Sequence, residues 1–160
     1  MSLTKIVSGG QTGVDRGALD AALAAEFPCG GWCPANRRAE GGPIPDRYPL
    51  SVVARGRDKE RTRQNVKDSD GTAILFYESL TGGTLLTRNL CVREKKPFIV
   101  LDAKQISEPA AAAALARFVE ESEIQILNVA GPRSSGWAEG QSFAMAVVGK
   151  LIKRSRHWPE

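Results

Sequence analysis

Thr4-Lys5-Ile6-Val7-Ser8-Gly9-Gly10-Gln11-Thr12-Gly13-Val14-Asp15-Arg16-Gly17-Ala18-Leu19 decides the fold. A short strand, Thr4 to Ser8, runs straight into a glycine-rich turn. Behind the turn Val14, Ala18, Ala21, Ala22 and Ala25 recur at spacings of three and four, with Leu19 and Leu23 beside them. That period is helical. Gly17 adds no bulk to this helix, which predicts close approach to a strand.

The same order returns downstream. Thr72 to Tyr77 reads as a buried strand, Glu78 to Thr84 as a second glycine-rich turn, and Leu85 to about Lys95 as a helix that Pro97 ends. Phe98 to Leu101 is a further strand. Pro109 suits the first turn of an alanine-rich helix, Ala110 to about Ser122. Ile124 to Val129 is the last strand, and a final helix runs from about Trp137 to Arg156. Gly30 to Cys33 reads as a brief second strand, and Arg55 to Lys67 as charged and helical toward its end. Strands alternating with helices require right-handed crossovers and a mostly parallel sheet. The fold is therefore α/β, a Rossmann-like three-layer sandwich, with residues 1–160 as a single domain.

The stretch Pro34 to Leu50 interrupts the alternation with four prolines, two glycines and three arginines, Arg37, Arg38 and Arg47. Loops of that length are usually functional. A lid carrying Arg37 and Arg38 is the expectation here.

Composition narrows the class. In 160 residues, 42% are apolar and 25% charged, enough to build a core. No apolar run approaches the roughly 20 residues that span a bilayer, so a cytoplasmic protein without a membrane partner is expected. Cys29, Cys33 and Cys91 do not make a disulfide framework, and the spacing of Cys29 and Cys33 is not that of a redox or zinc pair. The lone histidine, His157, cannot serve a metal centre or a catalytic triad. No metal site is expected. The net charge of +4 is consistent with nucleic acid, a small anion, or no charged partner at all.

In such sheets ligands bind beyond the C-terminal strand ends, where helix N-termini point. Ser8 to Arg16, Thr81 to Thr84, and Ala130 to Ser135 fall there. The first turn is spaced Gly-Gly-x-x-Gly, which is neither the dinucleotide fingerprint nor a P-loop. Backbone N–H groups at Gly9, Gly10 and Gly13 suit an oxyanion, with Ser8, Gln11 and Thr12 adding side-chain donors. Gly82, Gly83 and Thr84 repeat the arrangement, Thr84 reading equally well as a helix N-cap. Arg16, Arg37, Arg38 and Arg133 are candidates to close over the anion. Asp15 and Glu78 are the carboxylates near the turns and the only catalytic candidates. Asp70 precedes its strand and belongs to the opposite edge. The basic run Arg55, Arg57, Lys59, Arg61, Arg63 is diluted by Asp58 and Glu60 and reads as a solvated helix face.

Ser8 to Asp20, Gly31-Trp32-Cys33-Pro34, Arg38-Ala39-Glu40-Gly41-Gly42, Ile44-Pro45, Arg61-Thr62, Asn65-Val66, Asp68-Ser69-Asp70-Gly71-Thr72, Gly82-Gly83-Thr84 and Leu127 to Arg133 resemble the putative molybdenum carrier family. That family is similar to the molybdenum-cofactor carrier proteins and to a wider Rossmann-like group. The group includes the lysine decarboxylase-like (LOG) phosphoribohydrolases, which act on nucleoside monophosphates, and the DNA-processing protein DprA. The resemblance implies a small homo-oligomer, dimer or tetramer, binding a phosphorylated or oxyanionic ligand between the two glycine-rich turns. It offers the molybdenum cofactor, molybdate or a nucleotide as that ligand. The phosphoribohydrolases carry a catalytic glutamate after their second motif, and Thr87 stands at that position here. A threonine cannot supply the carboxylate. A binding or carrier protein is thus the leading expectation, a nucleotide-processing enzyme the alternative, and single-stranded nucleic-acid binding the last.

Overall fold

The computed structural model describes residues 3–156, so His157 lies outside it. In chain order the elements are β1 (Lys5–Val7), α1 (Val14–Ala24), β2 (Cys29–Gly30), β3 (Trp32–Cys33), β4 (Arg38–Ala39), β5 (Gly42–Pro43) and β6 (Ser51–Val52). There follow α2 (Asp58–Asp68), β7 (Gly71–Phe76), α3 (Gly82–Arg93), β8 (Phe98–Asp102), α4 (Glu108–Glu121), β9 (Ile126–Ala130) and α5 (Gly140–Arg156).

Five strands make one parallel sheet in the order β2-β1-β9-β7-β8. Strand β7 is buried along its whole length, which is why Ala73-Ile74-Leu75-Phe76 reads as a continuous apolar run rather than an alternation. Helices α1, α4 and α5 cover one face, packing Val14, Ala18, Leu115 and Val147 against Ile6, Leu75, Leu127 and Val129. On the other face α2 and α3 bury Val66, Leu90 and Cys91. The three-layer α/β sandwich expected from the alternation is the observed architecture. Pro109 sits in the first turn of α4, and the Ser107 hydroxyl accepts from Ala110 N–H at 3.3 Å.

Counted from β9 instead of β1, the sheet reads third, second, first, fourth, fifth. That is the doubly wound order. One winding, β9–α5–β1–α1–β2, runs toward one edge, and the other, β7–α3–β8, runs toward the opposite edge. The windings part between β9 and β7, which pair from Gly71↔Leu127 to Ile74↔Ala130. Their C-terminal ends open the crevice where such sheets take their ligands.

Several local expectations change. The segment Gly30 to Cys33 is two strands, because the chain bends at Gly31: β2 stays in the main sheet while β3 leaves it to pair with β6. Gly17 approaches a helix, not a strand. A Cβ there would lie 2.2 Å from the Gln141 carbonyl of α5.

Pro34 to Leu50 is tied down instead of hanging as an open lid. It contains the β4–β5 ribbon and a small core of its own, in which Tyr48 and Ile44 are buried with Leu19 and Cys33. The Tyr48 hydroxyl donates to Asp20 at 2.7 Å. The Arg37 guanidinium donates to the carbonyls of Pro45, Tyr48 and Leu50.

Candidate functional site

A cleft of about 440 Å³ lies at the parting of β9 and β7. Its floor is Asn128 to Pro132, at the end of β9. One wall is the start of α3, Thr81 to Thr84 with Thr87, and the other is Gly9, Gln11 and Asp15 of the first turn. Arg61 and Asn65 of α2 form the roof, and Arg133 closes one end.

The two glycine-rich turns play different parts. At α3, Thr81 is the N-cap, and its carbonyl accepts from Thr84 and Leu85 N–H. Thr84 is therefore inside the helix, not its cap. The N–H groups of Gly82 and Gly83 have no partner among the described residues, and the space above both α-carbons is open. Two free donors at the positive end of a 12-residue helix face the cleft.

At α1 several N–H groups of the turn are already engaged. Thr12 N–H donates to Gln11 Oε1 at 2.9 Å, Gln11 N–H to Asp15 Oδ2 at 3.2 Å, and Val14 N–H to the Pro132 carbonyl at 3.4 Å. Gly10 lies under Leu50 and Ile44. Only Gly9, Gln11 and Asp15 of this turn line the cleft; Ser8, Gly10, Thr12 and Gly13 lie behind it. The Ser8 hydroxyl donates to the Val129 carbonyl at 2.6 Å, and that of Thr12 to Glu40 at 3.1 Å.

Among the arginines expected at the site, Arg133 is there. Arg16 donates to the Gly10 carbonyl at 3.1 Å and stacks over Tyr48, and Arg37 is consumed inside its loop. Arg38 is exposed on β4. None of these three lines the cleft. Glu78 turns away as well, pairing with Lys104 at 3.0 Å on the surface.

Arg61 is the residue the sequence reading placed wrongly. Far from a solvated face, it is buried, with Nη1 donating to the Gly9 carbonyl at 2.8 Å. A Cβ on Gly9 would come within 2.5 Å of the Arg61 Cδ atom, so only glycine lets the guanidinium lie across the turn. The signal was spacing: Arg61, Asn65 and Val66 share the buried side of α2. Asn65 holds that side in place through paired hydrogen bonds with the Trp32 backbone, at 2.8 and 3.0 Å.

Glu40 also went unmarked as a site residue. Its carboxylate accepts from the Thr12 hydroxyl and from Ser135, both N–H and hydroxyl. It thereby ties the Pro34 to Leu50 segment to the turn after β9, and these bonds hold its carboxyl below the usual carboxylate range.

Electrostatically the cleft is balanced. Arg61 lies 3.9 Å from Asp15 and 3.2 Å from Asp58, and Asp58 also reaches Arg133 at 3.6 Å. Burial pushes the Asp15 carboxyl up to about 6, against the pull of Arg61 and the Gln11 N–H. Asp58 thus bridges both guanidinium groups of the cleft, opposite the free N–H pair of α3. Among the described residues no three His, Cys, Asp or Glu side chains cluster to hold a metal ion, and no helix is long and apolar enough to cross a membrane.

This fold and cleft define the class: a doubly wound Rossmann-like domain with a crevice at its switch point. Residues 6–152 match the model of the circularly permutated YpsA SLOG family, and the chain belongs to that family. It is also similar to a crystal structure named as a putative molybdenum carrier protein, from Syntrophus aciditrophicus SB. The two are 40% identical, with a TM-score of 0.91 over 94% of this chain and 96% of that one. No functionally curated protein matches.

Proposed function

We propose that the chain binds and carries a small anionic molecule, its phosphate or oxyanion seated between the start of α3 and the guanidinium groups of Arg61 and Arg133. The observation that carries this reading is the unpartnered Gly82–Gly83 N–H pair facing those two arginines across one crevice. A volume of about 440 Å³ exceeds a lone tetrahedral oxyanion and suits a ligand the size of a nucleotide. The neighbour's name brings molybdenum into the choice, and the cofactor form fits the cleft better than bare molybdate. With no cluster of protein ligands among the described residues, carried molybdenum would be held through the phosphate of its cofactor.

Isothermal titration with pyrophosphate, molybdate and nucleoside monophosphates tests this. Binding of at least one phosphate-bearing compound is expected, weakened tenfold or more by Arg61→Ala, since charge-assisted hydrogen bonds contribute roughly 1.5–3 kcal/mol. A saturating ligand at 100 times its Kd also raises stability by about 2.7 kcal/mol. Absence of both heat and thermal shift across the panel overturns the reading.

A second reading has its own observation: Asp15 is a cleft-lining carboxyl held near pH 6 by burial, in the range useful for proton transfer. An enzyme cleaving a nucleotide's glycosidic bond would release free base and lose that activity in Asp15→Asn. The carrier reading also includes a homo-oligomer, for which Leu85 and Val92 of α3 and Val100 of edge strand β8 offer exposed apolar surface.

A further inference from the structure

A second cavity, of about 390 Å³, opens at the same edge of the sheet. Tyr77, Trp137 and Phe143 form its aromatic wall, and Glu108 and Glu139 stand at its rim. Tyr77 lines the main cleft too, so the two cavities adjoin at its ring, the second as a side chamber beside the first. The three rings make a graded series. Trp137 and Phe143 pack with centroids 5.3 Å apart and are sealed from solvent, while Tyr77, 6.2 Å from Trp137, is 48% exposed. One aromatic surface is left uncovered, at the junction of two cavities.

The chambers differ in charge. The main cleft sets Arg61, Arg133 and the free N–H pair of α3 against Asp15 and Asp58, whereas the side chamber has two carboxylates and no cation in its lining. Neither Glu108 nor Glu139 has a side-chain hydrogen bond or ion pair among the described residues. A planar ring lying on Tyr77 would meet two carboxylate acceptors that no other side chain already engages. A carboxylate takes two parallel N–H donors from one planar group, and adjacent ring and exocyclic N–H groups present that fork. The 2-amino-4-oxopyrimidine edge, shared by guanine and pterins, has it. Adenine lacks the ring N–H, and hypoxanthine lacks the amino group.

We infer that the side chamber is the base subsite of the ligand, stacking a 2-amino-4-oxopyrimidine ring on Tyr77 against the carboxylates of Glu108 and Glu139, with the phosphate of the same molecule in the main cleft. The inference rests on the anion-binding reading of that cleft.

Titration of the full chain with guanosine, inosine and adenosine monophosphates, neopterin phosphate and pyrophosphate separates the two. Guanosine monophosphate and neopterin phosphate are expected to bind roughly tenfold more tightly than the inosine and adenosine compounds. The tighter of the first two identifies the source of the ring. Tyr77→Ala removes roughly tenfold of guanosine monophosphate affinity, the scale of one base–aromatic stack, and Tyr77→Phe restores it. The double variant E108Q/E139Q abolishes the preference for guanosine over inosine monophosphate and leaves pyrophosphate affinity unchanged. Equal affinity for all the monophosphates, or a guanine preference that survives E108Q/E139Q, overturns the inference while pyrophosphate binding keeps the main cleft's role intact. Failure of every phosphate compound, pyrophosphate included, overturns both.

Discussion

Asp15 is where burial and pairing contend. It accepts a hydrogen bond from Gln11 N–H and lies 3.9 Å from Arg61, yet desolvation outweighs both and lifts its carboxyl from 3.8 to about 6. The folded chain therefore holds this proton more tightly than the unfolded one. The stability that follows is complete below about pH 4 and is lost as pH rises through 6, a swing of about 3 kcal/mol. Asp15→Asn cannot titrate. Thermal unfolding from pH 4 to 7.5 should show wild-type Tm falling relative to that of the variant as pH rises. Parallel profiles would mean that Arg61 compensates the buried charge fully. Affinity for an anion whose own charge is constant over the same interval, such as sulfate, should rise as pH falls, because the cleft loses a negative charge. At this scale the legible residues were those whose chemistry is local. The glycines at 82 and 83 announce a helix start, and Asp15 announces a carboxyl in a first turn. Arg61 stands out in the family resemblance through Arg61-Thr62, but its burial was not legible, because the charges around it are solvent-facing and only its helical phase with Asn65 and Val66 marks it as inward.

Elements were readable wherever a period or a breaker marks them, and unreadable where pairing is distant. The buried run of β7, the caps of α4 and the strand–turn–helix units all follow from residues adjacent in sequence. Strands β3 and β6 do not: each is two residues long and exists only because Trp32 and Ser51 meet across the Pro34 to Leu50 segment. That segment reads as a lid because of its length and its lack of any period. Tyr48 and Arg37 make it a packed unit instead, through bonds that no local pattern encodes. Gly17 tests the tightest element contact. Helices α1 and α5 meet there so closely that an added methyl would strike the Gln141 carbonyl and the Ala144 side chain. Because backbone cannot yield as a side-chain end does, Gly17→Ala should cost about 1–3 kcal/mol. Chemical denaturation would read this as a lower midpoint with an unchanged slope. No loss would mean that α5 shifts freely against α1.

For the whole molecule, the strand order carries a prediction about connectivity itself. Because the sheet is doubly wound when counted from β9, the β8–α4–β9 connection is the one that closes the ring of elements, and the link from α5 to β1 is the one the chain leaves unmade. The geometry puts that missing link within short reach. At the end of α5 the Arg156 guanidinium donates to the Ala25 carbonyl and lies over Phe27. The Pro28 carbonyl, one residue further on, accepts from Ile6 N–H of β1. A chain reopened between Ser122 and Glu123, with a short flexible linker joining the present ends, keeps every strand pairing of the sheet and both walls of the cleft. Ring closure through such a linker and loss of the 122–123 bond exchange one loop for another, a change of about 2 kcal/mol or less and hence a few degrees in Tm. The permuted chain should therefore unfold cooperatively near the wild-type temperature and bind the same phosphate compounds with unchanged affinity. A permuted chain that folds but has lost its ligand would show that the turn after β9, from Gly131 to Ser135, depends on the original connection through α4. Failure to fold would show that the order of synthesis, and not the ring of contacts, selects this sheet.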